Sequence, residues 1–547
     1  MTAIIFFQHE CQNEQKKGGL VLKKKVGITT CSALLLLAAA LGGCSGKSAD
    51  TSTQANPQSK TEAQAPAKNE LTLGVNGDPH SWDPIDTFLL DWSTVATSVF
   101  EGLVERTTDL KIQPGLAESW EFKDDKTLQF KLRKGVTFHN GEPFNAEAVK
   151  FTFDRLLGEE GKKGPQQANY ASIDRVEVVD EFTVNMILKE KDPVLLTKLA
   201  GYGGVIVPPK YYKEKGDEYF NTHPVGTGPF KMDSYEKDNK VVLVKNESYW
   251  KQGQPKLEKV TFRFIPEATT RLAEMQTGAI DIMKKVEISQ TESIKGMSDL
   301  ELMQVGSPTV YSIRFNTSMK PVDNVKVREA IAYAIDADLI IETLLGGYGK
   351  RVNSFQSDMS FGYDPNLPLR NYDPEKAKQL LAEAGVKEGT ELDLFLPGTD
   401  ATFKEVAQAI EMQLGQVGLK VKLNLVDAST FTSDLIPKGK AGHMYRNGWG
   451  GWTLDFDNTA YLMYHKGEFW NPDFYDEKVE ELLKTERSTF DQEKRMAAFK
   501  ELNQRLYELV PDVPLYQTIN LWAVNKRVKG FQPPTDERID LREASVE

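Results

Sequence analysis

Cysteine is nearly missing from this chain: 547 residues carry three, Cys11, Cys31 and Cys44, all within the first 44 positions. The long remainder can form no internal disulfide, so a buried core must hold it together, and its length is ample for two or three structural units. Long apolar runs are also scarce. The longest, Val26 to Leu41, is interrupted by Gly27, Thr29, Thr30 and Ser32 and falls at the short end for a membrane span of about 20 residues. Histidine is sparse, and His80, His139, His223, His443 and His465 stand alone, without metal-ligand spacing. There is no Gly-x-Ser-x-Gly element, and "GGYGK" (Gly346 to Lys350) has Leu344 where a phosphate loop needs glycine. Basic charge is in deficit, with a formal net of −12, which argues against a nucleic-acid partner and against broad adhesion to anionic lipid. These absences lead us to expect no enzyme, no cofactor and no metal site.

The front end is built differently. "LKKK" (Leu22 to Lys25) supplies the positive region of a secretory signal, the apolar run follows, and Leu41-Gly42-Gly43-Cys44 closes it. That last stretch resembles the bacterial lipobox, which implies a signal peptide over residues 1–43 and a lipidated Cys44. The usual shape of such a signal leaves its start either at Met1 or near Val21. Ser45 to Asn69 is rich in Ser, Ala, Gln, Thr, Lys and Pro, so residues 44–69 read as a lipidated flexible tether. The expected location is the extracytoplasmic face of the cell membrane, with the lipid on Cys44 as the membrane contact.

The body reads as mixed α and β. "LTLGVN" (Leu71 to Asn76) alternates as a strand, and Lys126 to Phe138 is a strand with a turn at Lys134-Gly135. Val176 to Leu188 is a hairpin turning at Asp180-Glu181. A helix begins after Asn145, its N-cap, with Val149, Phe153 and Leu156 on one face. From about residue 320 helical spacing dominates "NVKVREAIAYAIDADLIIETLLGG", read as one helix. "DPEKAKQLLAEAG" then carries full helix punctuation in Asp373, Pro374 and Gly385. A strand at Glu391 to Leu396, a helix at Phe403 to Gln416, a strand through Val421 to Leu425, a helix at Ser429 to Lys438 and a strand at His443 to Gly448 follow. This β-α-β alternation predicts a parallel sheet with flanking helices.

Eight blocks in order, among them "GDPHSWDP" (Gly77 to Pro84), "PGLAESWEFKDDKTLQFKLRKGVTFHNGEPFNAEAVKFTFDR" (Pro114 to Arg155), "PVGTGPFKM" (Pro224 to Met232) and "FNTSMKPVDNVKVREAIAYAID" (Phe315 to Asp336), resemble one family. It is the peptide/nickel class (family 5) of extracytoplasmic solute-binding lipoproteins of ABC importers. The resemblance implies an α/β, two-lobed, periplasmic-binding-protein type II-like (Venus-flytrap) fold that closes on a ligand. Lobe one would be residues 70–305 plus 516–547, with an inserted subdomain at about 92–206, and lobe two 306–515. It implies a monomer that captures peptides or a related small polar solute and serves ABC importer permease subunits. A metal-chelator complex, an opine or similar solute, or a surface adhesin or chaperone role, are the alternatives.

The same resemblance makes "GHMYRNGWGGWTLDFDNTAYLMYH" (Gly442 to His465) the cleft-lining passage. Peptide-binding members usually carry, three residues after the tryptophan matched by Trp449, an aspartate for the peptide's amino terminus; here that position is Trp452. A carboxylate-holding arginine also has no match in "LPGTDATFKE" (Leu396 to Glu405). The expected ligand-binding residues are Trp449, Trp452, Arg446, Asn447, Thr453 and Asp455, with Asn76, Trp82 and Arg351 as further candidates. Arg446 is the charge that stands out in a strand, and either grips a carboxylate or phosphate or pairs with a surface acid. Trp449 and Trp452 are expected as aromatic walls.

Overall fold

The computed structural model describes residues 69–107 and 109–547; the signal segment, Cys44 and the tether through Lys68 lie outside the described residues. One mixed sheet of eleven strands runs through the body. At one end Leu419–Val426, Thr390–Pro397 and Met444–Trp449 are parallel neighbours, as the β-α-β alternation predicts. At the other, Glu70–Val75 pairs in parallel with Lys259–Phe264, and Lys240–Lys245 and Phe230–Glu236 extend the sheet antiparallel. Two long strands, Leu300–Phe315 and Asp512–Asn525, join these halves side by side. Their register shifts between Gly306 and Val310 and again between Tyr311 and Ser312, and such irregularities bend a strand pair locally.

Separate cores sit on either side of that junction. Leu73, Val95, Phe262 and Trp522 belong to one; Ile331, Leu394, Ile410 and Met444 belong to another. A third core contains Phe130, Phe153, Tyr170 and Met186. It is sandwiched between a four-stranded antiparallel sheet (Ala117–Asp124, Thr127–Leu132, Thr183–Leu188 and Ile173–Asp180) and the helix Ala146–Leu157. Asn145 caps that helix as expected, accepting from the Glu147 and Ala148 amides, which satisfies N–H groups a helix start leaves unpaired.

The segment read as one long helix is two, Val325–Ala334 and Ala337–Thr343. Asp336 is the reason. Its side chain caps the second helix through the Leu339 amide, and its own amide donates to Gln413 Oε1 on the helix Ala401–Gln416. Similarly, the helix expected at Ser429 to Lys438 is a short helical turn, Ala428–Thr430, followed by one wider turn, Phe431–Leu435.

Candidate functional site: a cleft along the joining strands

A cleft of about 850 Å³ opens beside the two joining strands, and its wall takes residues from both cores. Strand alternation decides which face of Met444–Trp449 it meets. Tyr445 and Asn447 turn inward: Tyr445 packs on Phe431, and the Asn447 amide lies 3.9 Å from the Met463 sulfur. Arg446 therefore faces the other way and lines the cleft. Its guanidinium lies over the Tyr311 ring at 4.6 Å and near Phe403 at 5.7 Å. Its Nη2 donates to the Tyr311 hydroxyl (3.0 Å) and pairs with Asp400 Oδ2 (2.8 Å). Glycine at 448 makes this possible, because an added Cβ would come within 2.8 Å of the Tyr311 ring.

Asp400 has two duties. Oδ1 accepts from the Phe403 amide at 3.0 Å, capping Ala401–Gln416, while Oδ2 holds Arg446. The second wall comes from the other core. Asn76 follows the strand Glu70–Val75, Lys284 ends the strand Ile282–Lys284, and Glu537 and Trp522 come from the C-terminal part of the chain. Lys284, almost fully buried, bonds Glu537 at 2.8 Å and Thr94 Oγ1 at 2.7 Å. Arg446 Nε, Asn76 Oδ1 and Trp522 Nε1 are buried with no hydrogen-bond partner among the described residues. Buried polar atoms are normally paired, and all three of these belong to residues of the cleft wall.

The other expected residues have different employment. Trp452 lies outside this cleft wall; it packs edge-on to Phe88 at 5.4 Å and against Tyr202 at 5.7 Å, and it lines a separate cavity of about 1070 Å³ with Lys198, Asp457 and Asn458. Its carbonyl and that of Thr453 are both held by Arg106, at 3.2 and 2.9 Å; burial lowers the Arg106 pKa to about 10. Trp449 donates to Asn458 Oδ1 and meets Trp470 edge-on. Asp455 caps the helix Phe456–Tyr464 and makes a two-pronged bond with Arg495, both contacts at 2.8 Å and both residues buried. That ion pair occupies the carboxylate, so the structure puts Asp455 to structural use. Arg351 pairs with Asp338 at 2.6 Å beside a separate small cavity of about 30 Å³. Trp82 is wholly buried against Tyr235. Sequence reasoning did not single out Asp91, Lys284, Asp400, Tyr311, Trp522 or Glu537. Of these, only Asp400 carried a local signal, as the N-cap of a helix.

The chain matches the family described as "Bacterial extracellular solute-binding proteins, family 5 Middle" over residues 111–471. The chain belongs to this family. The solute-binding protein is 30% identical over 496 residues to the glutathione-binding protein GsiB of Pectobacterium atrosepticum, covering 88% of this chain and 95% of that relative. Among solved structures it resembles HbpA2 from Haemophilus parasuis, with TM-score 0.80, 26% identity, and 88% and 100% coverage of the two chains. It also resembles a dipeptide-binding protein from Pseudoalteromonas sp. SM9913 in complex with Met-Leu, with TM-score 0.73, 25% identity, and 87% and 100% coverage. The architecture is thus the two-lobed one of this family, and the protein is an extracytoplasmic solute-binding component of an ABC importer. No described helix is long and apolar enough to cross a membrane.

Proposed function

We propose that the solute-binding protein captures peptides, or a related small polar solute, between its lobes and delivers them to the permease subunits of its importer. The observation that carries this reading is the cleft, about 850 Å³ with one wall from each core and unpaired polar atoms on both walls. A ligand touching both walls binds the closed form better and shifts the open–closed equilibrium by that difference. We assign lobe one to residues 70–305 plus 516–547, with its inserted subdomain at about 92–206, and lobe two to 306–515. The hinge is the register shift between Gly306 and Val310 on the joining strands. Arg446 and Asn76 are the ligand contacts, with the Tyr311 and Phe403 rings and the Trp522 N–H beside them. The relatives are named for glutathione and dipeptide binding, which supports a peptide-like solute. Lipid on Cys44 tethers a monomeric receptor to the extracytoplasmic face, and it performs no chemistry on its cargo.

Native mass spectrometry of the full chain, purified without refolding and released from detergent, tests this directly. Added masses matching short peptides are the expected result. A single added mass of a non-peptide compound would reassign the receptor to that compound.

A further inference from the structure

Two arginines end in one small cavity away from the cleft. Arg351 and Arg370 bracket the stretch 351–370, between the strand Gly349–Lys350 and the helix Pro374–Glu383, and Arg351 Nη2 donates to the Arg370 carbonyl at 2.9 Å. Both side chains line a cavity of about 30 Å³ with Asn353, Tyr507 and Val513, and it shares no lining residue with the cleft. The Nε atoms of both arginines are buried with no hydrogen-bond partner among the described residues. Their other contacts leave positive charge over. Arg351 Nη1 pairs with Asp338, but that carboxylate is 69% exposed, where an ion pair is worth little. Arg370 lies over the Tyr507 ring at 3.7 Å and donates to the Tyr507 carbonyl, and it has no ion-pair partner among the described residues. No acid lines the cavity. Asp512, next in the chain to Val513, faces Arg314 at 3.5 Å and accepts from the Tyr464 hydroxyl at 2.6 Å instead.

A buried lysine relieves such a surplus by shedding its proton, but an arginine cannot. A guanidinium drawn out of water with an unused N–H needs a counter-charge. We infer that the cavity holds a small monovalent anion, the size of chloride or of a single carboxylate, between the Nε–H groups of Arg351 and Arg370. The room sets the size: about 30 Å³ is roughly twice what one water needs, and the four oxygens of phosphate do not fit. Water alone would satisfy an N–H and leave the charge uncompensated. The bound ion clasps the stretch 351–370 by its two ends, against Tyr507 and the strand Asp512–Asn525. That stretch in turn supports the passage around Asp455, because the Phe361 amide donates to the Leu454 carbonyl and the Phe456 amide donates to the Phe361 carbonyl, both at 2.9 Å. Arg351 is thus a binding residue, for an ion and not for the cargo, and the inference stands apart from which solute the cleft takes.

The test uses the full chain in detergent micelles at neutral pH and constant ionic strength, with sodium gluconate as the bulky reference salt. The width of the chloride NMR line reads binding, because exchange with a bound ion broadens it. Wild type should broaden the line, formate should reverse the broadening, and phosphate at equal concentration should reverse little of it. Arg351→Gln and Arg370→Gln should each lose more than half of the formate-reversible broadening. Arg175→Gln, at an exposed arginine paired with Asp174 and Glu177, should lose none. Replacing gluconate by chloride, at about ten times its dissociation constant, should raise the wild-type unfolding midpoint by about 2 °C, a reading that needs no substitution. A wild-type line that formate does not sharpen, with a midpoint indifferent to chloride, means that water fills the cavity and overturns the inference. Broadening retained by both glutamine variants, each shown to be folded by circular dichroism, puts the ion elsewhere and overturns the assignment. Phosphate competing as well as formate overturns the size limit.

Discussion

Replacing Glu486 by glutamine should remove a pH dependence from the stability of the protein. Glu486 is wholly buried beside Asp455, Asp457, Arg487 and Arg495. Three carboxyls share two guanidiniums, so full ionisation would leave a net negative charge with no water to solvate it. Arg495 occupies Asp455 with two 2.8 Å contacts and reaches Glu486 Oε2 at 3.0 Å; Arg487 Nη2 holds Asp457 at 3.0 Å. Burial first, and the neighbouring Asp457 carboxylate second, push the Glu486 carboxyl far above the usual carboxylate range, so it keeps a proton at neutral pH. Asp457 moves the other way: burial opposes its ionisation, but Arg487 and a hydrogen bond with Glu486 outweigh burial and hold it ionised.

A carboxyl whose folded pKa exceeds its unfolded value contributes stability below the unfolded pKa, and that contribution is lost as pH rises toward the folded pKa. The loss is about 1.4 kcal/mol per pH unit for one such group. Between about pH 5.5 and pH 8.5 it reaches roughly 4 kcal/mol. Glutamine keeps the size and a donor facing Asp457 but takes up no proton. Urea unfolding of wild type and Glu486→Gln, followed by tryptophan fluorescence at several pH values across that range, isolates the difference. The variant should gain on wild type by about 1.4 kcal/mol for each pH unit. Parallel pH profiles for the two proteins would refute the reasoning and mean that Glu486 is ionised in the folded state.

Trp452→Ala should lower the unfolding midpoint by an amount equivalent to about 2 kcal/mol, the loss of the apolar contacts with Phe88 and Tyr202. It should leave tripeptide affinity unchanged if the cargo sits in the cleft beside the joining strands; a large loss of affinity would place the cargo in the separate cavity that Trp452 lines with Asp457 and Asn458. Arg314→Met should destabilise by about 3 to 5 kcal/mol in urea titrations, since it leaves the buried Asp512, which Arg314 faces at 3.5 Å, with the Tyr464 hydroxyl but no counter-charge at that contact. Gly362→Ala should cost about 2 kcal/mol or more by the same assay. Its φ is +97°, and a Cβ there would approach the Phe499 ring at 2.6 Å.

Local signals were legible wherever a side chain acts on its own neighbourhood. Asn145 and Asp373 cap the helices they were expected to cap, bonding amides at most three residues ahead. Period-2 alternation found Glu70–Val75 and the 173–188 hairpin. The single long helix past residue 325 failed at Asp336, where a cap and the distant Gln413 together outweigh helical periodicity. In the site, Arg446 was visible as a lone charge in a strand, and in the structure it lines the cleft and pairs with Asp400. Asp455 looked like a site residue because the sequence hides Arg495, forty positions away, which claims its carboxylate.

By itself, then, the sequence determined this protein's periodic elements, its helix ends, its cysteine-free body and its family, because each depends on residues near one another or on a long ordered pattern. Only the tertiary structure decided which charges pair with one another and which side chains share a cleft wall. Asp91, Lys284, Arg446, Trp522 and Glu537 are scattered across more than four hundred residues and meet in one cleft because two long strands carry the chain between its cores. The availability of a charge depends on what stands within a few ångströms of it, and no local pattern in the chain encodes that distance.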